Sequence, residues 1–103
     1  MRYDDFIASL DDNSPPPGMA DTLLSLWWDR KGDWFRAHSI AQEIPTVQGS
    51  AVHAYLHREE GVLWNADYWY DRAGRARPTI PLEDEWRQLA IEMLGEDPSE
   101  AAS

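Results

Sequence analysis

The sequence contains no cysteine, and basic residues are scarce in it. Without cysteine the chain can form no disulfide bond, and it offers no thiolate to a metal or to a catalytic Cys–His pair. Nine Lys and Arg residues stand against 19 Asp and Glu residues, which gives a formal net charge of −10. Because nucleic acid and anionic membranes attract positive charge, we do not expect the protein to bind either of them. A chain without cysteine suits the reducing cytoplasm, where we expect this protein to reside.

Long apolar runs and the common catalytic motifs are also absent. The apolar runs are a few residues long, whereas a transmembrane helix needs about 20. The first residues, MRYDDFIASLDD, are acidic and lack the basic and apolar stretches of a signal peptide. The glycines stand singly rather than in a phosphate-binding loop, and no serine has a G-x-S-x-G context. We therefore predict no membrane-spanning helix and no cofactor. Because the common catalytic motifs are absent, motifs identify no catalytic residue.

Aromatic and other hydrophobic residues are plentiful. Hydrophobic residues make up 43% of the 103 positions, and there are six Trp and four Tyr. Each buried ring removes a large apolar area from water, so the chain can fold around a core. The length suits a single domain, which we expect over residues 1–95. Residues 96–103, EDPSEAAS, are polar and acidic, and we expect them to form a flexible tail.

Apolar spacing and helix-ending residues predict an all-α protein. From residue 19 to 31 apolar residues recur densely, and Gly32 then ends the helix, as glycine does where φ is positive. Pro45 prevents the next helix from continuing, and Thr46 is a typical N-cap for the one that follows. The same reasoning along the chain gives one short helix and five longer ones. They are predicted over residues 4–10, 19–31, 33–43, 47–60, 62–73 and 81–94.

Four of these helices form two hairpins that match each other at an offset of 29 residues. A matched glycine lets the chain reverse within two or three residues. A matched alanine, five positions later, lets the returning helix approach its partner closely. We expect the large residues at the other matched positions to fill the groove between the two helices. The hairpins span residues 19–44 and 47–74, and the matched pairs are Gly32/Gly61, Ala37/Ala66, Trp34/Leu63, Phe35/Trp64, Ile40/Trp69 and Leu23/Val52.

The segments RKGDWFRAH and REEGVLWNAD resemble the helix–Gly–helix turn of tetratricopeptide repeats (TPR), and NADYWYDRAG resembles the end of a Sel1-type repeat. The resemblance covers about residues 20–74. It departs from the TPR pattern in its period, which is 34 residues in that family, and in having two units where such arrays usually have three or more. It implies two antiparallel hairpins in a compact right-handed bundle, capped by the first and last helices.

A longer stretch, HAYLHREEGVLWNADYWYDRAG, follows Trp34 and His38. Together they resemble a small family of uncharacterised bacterial proteins. No activity is assigned to that family, so this resemblance implies no chemistry.

Three histidines are the strongest candidates for a functional site. His53 and His57 are four residues apart on one predicted helix, so they share a face, and His38 lies on the preceding helix. One interpretation is a metal or acid–base site, with Glu60 or Asp67 as a further ligand. Another is a set of buried structural histidines, each hydrogen-bonded to a neighbour. A third is contact with a small-molecule ligand. The bare H-x3-H spacing lacks the glutamate of an HExxH metal motif and does not choose among these.

Three further residues lie near the same hairpin turn. Arg58 can hold a carboxylate or a phosphate. Asn65 lies in the first turn of its predicted helix, where it can bind a ligand or satisfy the backbone. Tyr68 is followed by two more aromatic residues, so at least one of the three must be partly exposed. Since Tyr and Trp are favoured at interfaces, such a ring can belong to a partner surface.

The predicted fold favours a non-catalytic module that binds a protein or a peptide or associates with itself. This expectation rests on the helical-hairpin architecture, which hosts many functions. The alternative is a small-molecule or metal site, with possible catalytic use, lined by the three histidines.

Overall fold

The computed structural model describes residues 1–95, and this part of the chain contains six α-helices and no strand. The predicted all-α fold is therefore confirmed, with helix ends within two residues of those expected for the five longer helices. None of the six helices combines the length and apolar composition needed to cross a bilayer. The expected flexible tail, 96–103, lies outside the described residues. The helices are α1 (Tyr3–Ser9), α2 (Asp21–Arg30), α3 (Trp34–Ala41), α4 (Val47–Glu60), α5 (Leu63–Arg72) and α6 (Leu82–Leu94).

Short connections and local caps define the helix ends. The carboxylate of Asp33 accepts a hydrogen bond from the Arg36 backbone N–H at 3.1 Å and caps α3. The hydroxyl of Thr46 accepts a hydrogen bond from the Gly49 backbone N–H, also at 3.1 Å, and caps the start of α4. Gly61 ends α4 with φ at 87°, a conformation that costs glycine little and other residues more. These ends make α3 return along α2 and α5 return along α4, since only a few residues join each pair.

Small residues lie where the paired helices touch. Ala37 and Ala66 are both fully buried, as the match between the two hairpins predicted. The Ser25 hydroxyl on α2 donates a hydrogen bond to the carbonyl of Ala37 at 2.7 Å, which requires the two backbones to lie close together. In the second hairpin, Ala66 packs with Ala54 and Tyr70 in a buried cluster. The handedness and TPR-like arrangement of the hairpins remain predictions.

The expectation that all matched large residues fill the groove is wrong for three of them. Phe35 is 80% exposed, Trp64 is 76% exposed and Leu63 is 43% exposed. For Phe35 and Trp64 the reason is the helical period. Phe35 and Trp64 each precede a buried alanine by two positions, and two residues turn an α-helix by about 200°. When the alanine faces the partner helix, the ring two positions earlier therefore lies on the outer face of its own helix.

The core is built from buried aromatic rings whose polar atoms are satisfied. Trp27 and Trp86 are almost completely buried, and the ring of Phe6 stacks on Trp86 at a centroid distance of 5.7 Å. The Trp27 indole N–H donates to the Ser9 hydroxyl, and that of Trp86 donates to the Leu26 carbonyl, both at 3.1 Å. Buried indoles need such acceptors. These contacts hold α1 and α6 against each other and against α2 of the first hairpin.

The close approach at the two alanines gives a stability prediction. Ala37→Leu and Ala66→Leu should each lower the free energy of unfolding by about 1–3 kcal/mol, because the extra carbons have no space. Urea denaturation followed by circular dichroism measures this. Ala8→Leu is the control, since Ala8 is exposed on α1 and the same change there should alter stability by no more than about 0.5 kcal/mol. Unchanged midpoints in both buried-site variants would contradict the close packing.

Candidate functional site

The three histidines converge between α3 and α4. His53 and His57 lie one turn apart on α4 and are buried, at 4% and 5% exposure, while His38 on α3 is partly exposed. The ring centroids form a triangle with sides of 4.7, 4.8 and 5.1 Å. One nitrogen from each ring lies within 4.8 Å of the other two. We call these three side chains the histidine cluster.

A direct hydrogen bond joins two of the rings. The Nε2 atoms of His38 and His53 are 3.0 Å apart. Such a bond needs an N–H on one nitrogen and a lone pair on the other. At most one of the two imidazoles can therefore be protonated while the bond exists, and two neutral rings satisfy it equally well.

The hydrogen bonds of the third ring fix its tautomer. His57 Nδ1 lies 2.7 Å from the Glu60 carboxylate, and His57 Nε2 lies 3.2 Å from the amide nitrogen of Asn65. A carboxylate accepts, so Nδ1 carries the hydrogen. An amide nitrogen donates, so Nε2 presents its lone pair. In this arrangement the Nε2 lone pair of His57 accepts a hydrogen bond from the Asn65 amide.

Two tryptophan rings form the walls of the cluster. Trp34 stacks on His38 at 4.9 Å between centroids, and Trp69 stacks on His53 at 4.0 Å. The indole N–H of Trp34 donates to the Leu56 carbonyl at 2.9 Å, which fixes its ring against α4. Both tryptophans were predicted to lie in the repeat but not in the site. Their positions could have indicated this role, because each tryptophan lies one helical turn from a residue that belongs to the cluster or is hydrogen-bonded to it.

Burial depresses the pKa of two of the histidines. The pKa of His53 is lowered to about 4, first by desolvation and then by the neighbouring rings of His38 and His57. Desolvation also lowers the pKa of His38, with His57 adding to the effect and Glu60 opposing it. Both rings are therefore neutral at neutral pH. Because the unfolded chain binds more protons below about pH 6.5, these groups make the fold less stable as the pH falls from there toward 4.

Of Arg58, Asn65 and Tyr68, only Asn65 contacts the cluster. Arg58 follows His57 in sequence but projects toward α6, where it pairs with Glu85 at 2.8 Å and donates to the carbonyl of Ile80. Glu85 is 5% exposed and also accepts a hydrogen bond from the Tyr70 hydroxyl at 2.5 Å. This buried network satisfies the Arg58 guanidinium, which is not turned toward the histidines.

Two more candidates lie outside the cluster. Tyr68 is 52% exposed, and its hydroxyl accepts a hydrogen bond from Arg72 while its ring meets the edge of Trp69. Asp67, which the sequence analysis weighed as a further metal ligand, pairs with Arg77 at 3.1 Å on the surface. Glu60, the other carboxylate weighed there, does reach the cluster, but through the Nδ1–H of His57.

Comparison of the chain with models of protein families, with curated proteins and with solved structures gave no match.

The lowered pKa of His53 can be measured by NMR titration of the imidazole C–H signals. We expect His53 to titrate near 4, because charging it requires a buried cation beside two other rings. The chain unfolded in urea is the reference, and there all three histidines should titrate near 6.5. A value near 6.5 for His53 in the folded protein would show that the cluster is open to water.

Proposed function

We propose that this protein binds a divalent transition-metal ion of the zinc class through His38, His53 and His57. The observation that carries the proposal is the convergence of three imidazole nitrogens within 4.8 Å of one another. Imidazole is a preferred ligand of zinc, copper and nickel, and three histidines form a recurrent zinc-binding set. The proposal takes up the metal-site alternative from the sequence and deepens it with the geometry.

The distances support a metal with only small movements of the rings. A tetrahedral zinc ion with Zn–N bonds of about 2.0–2.1 Å separates its ligand nitrogens by about 3.3 Å. The Nε2 atoms of His38 and His53 are at 3.0 Å, so they need to part slightly. The widest separation in the cluster, 4.8 Å, must close by about 1.5 Å, which side-chain rotation can supply.

The protonation of the rings also supports metal binding. A metal needs the lone pair of a neutral imidazole, and binding by both Nε2 atoms of the His38–His53 pair requires one proton to move to Nδ1 of the same ring. His57 has its lone pair on Nε2, where the Asn65 amide must move aside for an ion. Its Nδ1–H donates to Glu60, which is the carboxylate–histidine arrangement commonly found behind metal ligands.

Isothermal titration calorimetry with zinc, on protein without a histidine tag, tests this proposal. We expect one zinc ion per chain for the parent. His53→Ala should weaken binding on the order of 100-fold or more, since removing a ligand costs more than the 10–100-fold typical of an outer-shell partner. Gln48→Ala, an exposed change on the same helix, is the matched control and should bind as the parent does. Absence of binding by the folded parent would contradict the proposal, as would equal affinity of the His53 variant.

A second candidate is binding of a protein or peptide, which the exposed aromatic rings favour. Phe35 and Trp64 occupy matched positions in the two hairpins and are among the most exposed apolar side chains, and Tyr68 is half exposed. Aromatic residues are enriched at interfaces. The net charge of −10 opposes association of two copies and favours a positively charged partner that carries apolar side chains.

Tryptophan fluorescence with a peptide of Lys and Leu tests this second candidate. Binding should shift the emission of the parent, and Phe35→Ser combined with Trp64→Ser should weaken binding by about tenfold, because the apolar contacts are lost. A peptide of Lys and Ser is the control for charge alone. Equal binding of both peptides, or no effect of the two substitutions, would contradict a role for the aromatic rings. Sedimentation equilibrium of the parent reveals self-association if that occurs instead.

A further inference from the structure

The described residues supply three ligands to the proposed metal site and no obvious fourth. The chain has only three histidines and no cysteine. Within residues 1–95 the group of side chains close enough to hold a metal consists of His38, His53 and His57 alone. Zinc sites with three protein ligands keep their fourth position for water or another molecule, whereas structural sites are usually closed by a fourth residue.

The nearest carboxylates are engaged elsewhere. Glu60 lies 2.7 Å from Nδ1 of His57, on the side of the ring away from the Nε2 lone pair. A carboxylate held there orients the imidazole but does not reach an ion bound at Nε2. Asp67 is paired with Arg77 on the surface. Neither acid is therefore placed to complete the site.

Asn65 lies beside the nitrogen of His57 that a metal would take. Its amide nitrogen is 3.2 Å from His57 Nε2, the lone pair that a metal would take. Once a metal binds this nitrogen, the amide N–H loses its acceptor and lies beside the ion. Asn65 and His38 are both partly exposed, so this edge of the cluster is open to solvent, while the rings of Trp34 and Trp69 cover other sides.

We infer that the metal site is open, that its fourth position accepts an exchangeable small anion or water, and that Asn65 donates a hydrogen bond to this ligand. The inference rests on the proposed metal binding. Three neutral imidazoles leave the double positive charge of the ion uncompensated, which favours an anion such as a carboxylate or azide. An amide N–H beside the ion adds a donor for that anion.

Cobalt(II) in place of zinc makes the fourth position visible, because its absorption spectrum depends on the number and kind of ligands. The experiment titrates the tag-free protein with cobalt(II) and then with azide. We expect the visible bands of the bound ion to shift on addition of azide at millimolar concentration. Asn65→Ala should weaken azide binding by about 3- to 10-fold, since one hydrogen bond is lost. Both proteins are saturated with cobalt(II) before azide is added, so that the comparison concerns the fourth position alone.

Gln48→Ala is the matched control and should change neither affinity. If the folded parent binds no cobalt(II) and no zinc, both this inference and the proposed function fail. If cobalt(II) binds but its spectrum ignores azide, the open position is refuted and metal binding stands. If azide shifts the spectrum equally in the parent and in Asn65→Ala, the role of Asn65 is refuted.

Discussion

The burial of α4 on several sides is the constraint on which the rest of this structure depends. This helix contacts α2, α3, α5 and α6, and every residue from position 51 to 57 is buried. The buried run nevertheless includes the polar side chains of His53 and His57, and the partly buried Arg58 follows it. A polar group removed from water must find a partner inside the protein, or it costs several kcal/mol. In the described residues no buried side-chain nitrogen or oxygen lacks one.

The helix meets this requirement differently on its two sides. Toward α6, Arg58 pairs with Glu85, which also accepts a hydrogen bond from the Tyr70 hydroxyl. The carboxylate thus neutralises the positive charge of the guanidinium. Toward α3 and α5, His53 and His57 find His38, Glu60 and Asn65. The first network is closed, because each charged group faces an opposite charge. The second joins imidazoles to one another, to a carboxylate and to an amide, and neutral imidazoles retain the lone pairs that a metal requires.

The location of the cluster gives metal binding a structural consequence. His38 belongs to α3 in the first hairpin, whereas His53 and His57 belong to α4 in the second. An ion held by all three would therefore connect the hairpins at a point already joined by the His38–His53 hydrogen bond and by the hydrogen bond from the Trp34 indole N–H to the Leu56 carbonyl. Since the ion binds the folded form, its free energy of binding would add to the stability of that form. The rings of Phe35 and Trp64 are exposed to solvent, and that of Phe35 also contacts Trp34 at 5.4 Å between centroids.

Local sequence determined a large part of this protein. Gly61, Thr46 and Asp33 set helix ends, because caps and positive φ values depend on a few adjacent residues. The shared face of His53 and His57 followed from the helical period alone. The same period also implied that Phe35 and Trp64 lie opposite the buried alanines, although the repeat alignment suggested a place in the groove.

Only the tertiary structure decided which partners the polar residues find. Glu85 reaches Arg58 from 27 positions along the chain, and His38 meets His53 across 15. Pairings of this kind depend on how whole helices lie against one another, which no local spacing encodes. For this reason the sequence suggested Arg58 as a ligand-binding residue, whereas in the fold it forms an ion pair with Glu85. The sequence determined which faces the histidines share, and the packing of α3, α4 and α5 decided that the three rings meet.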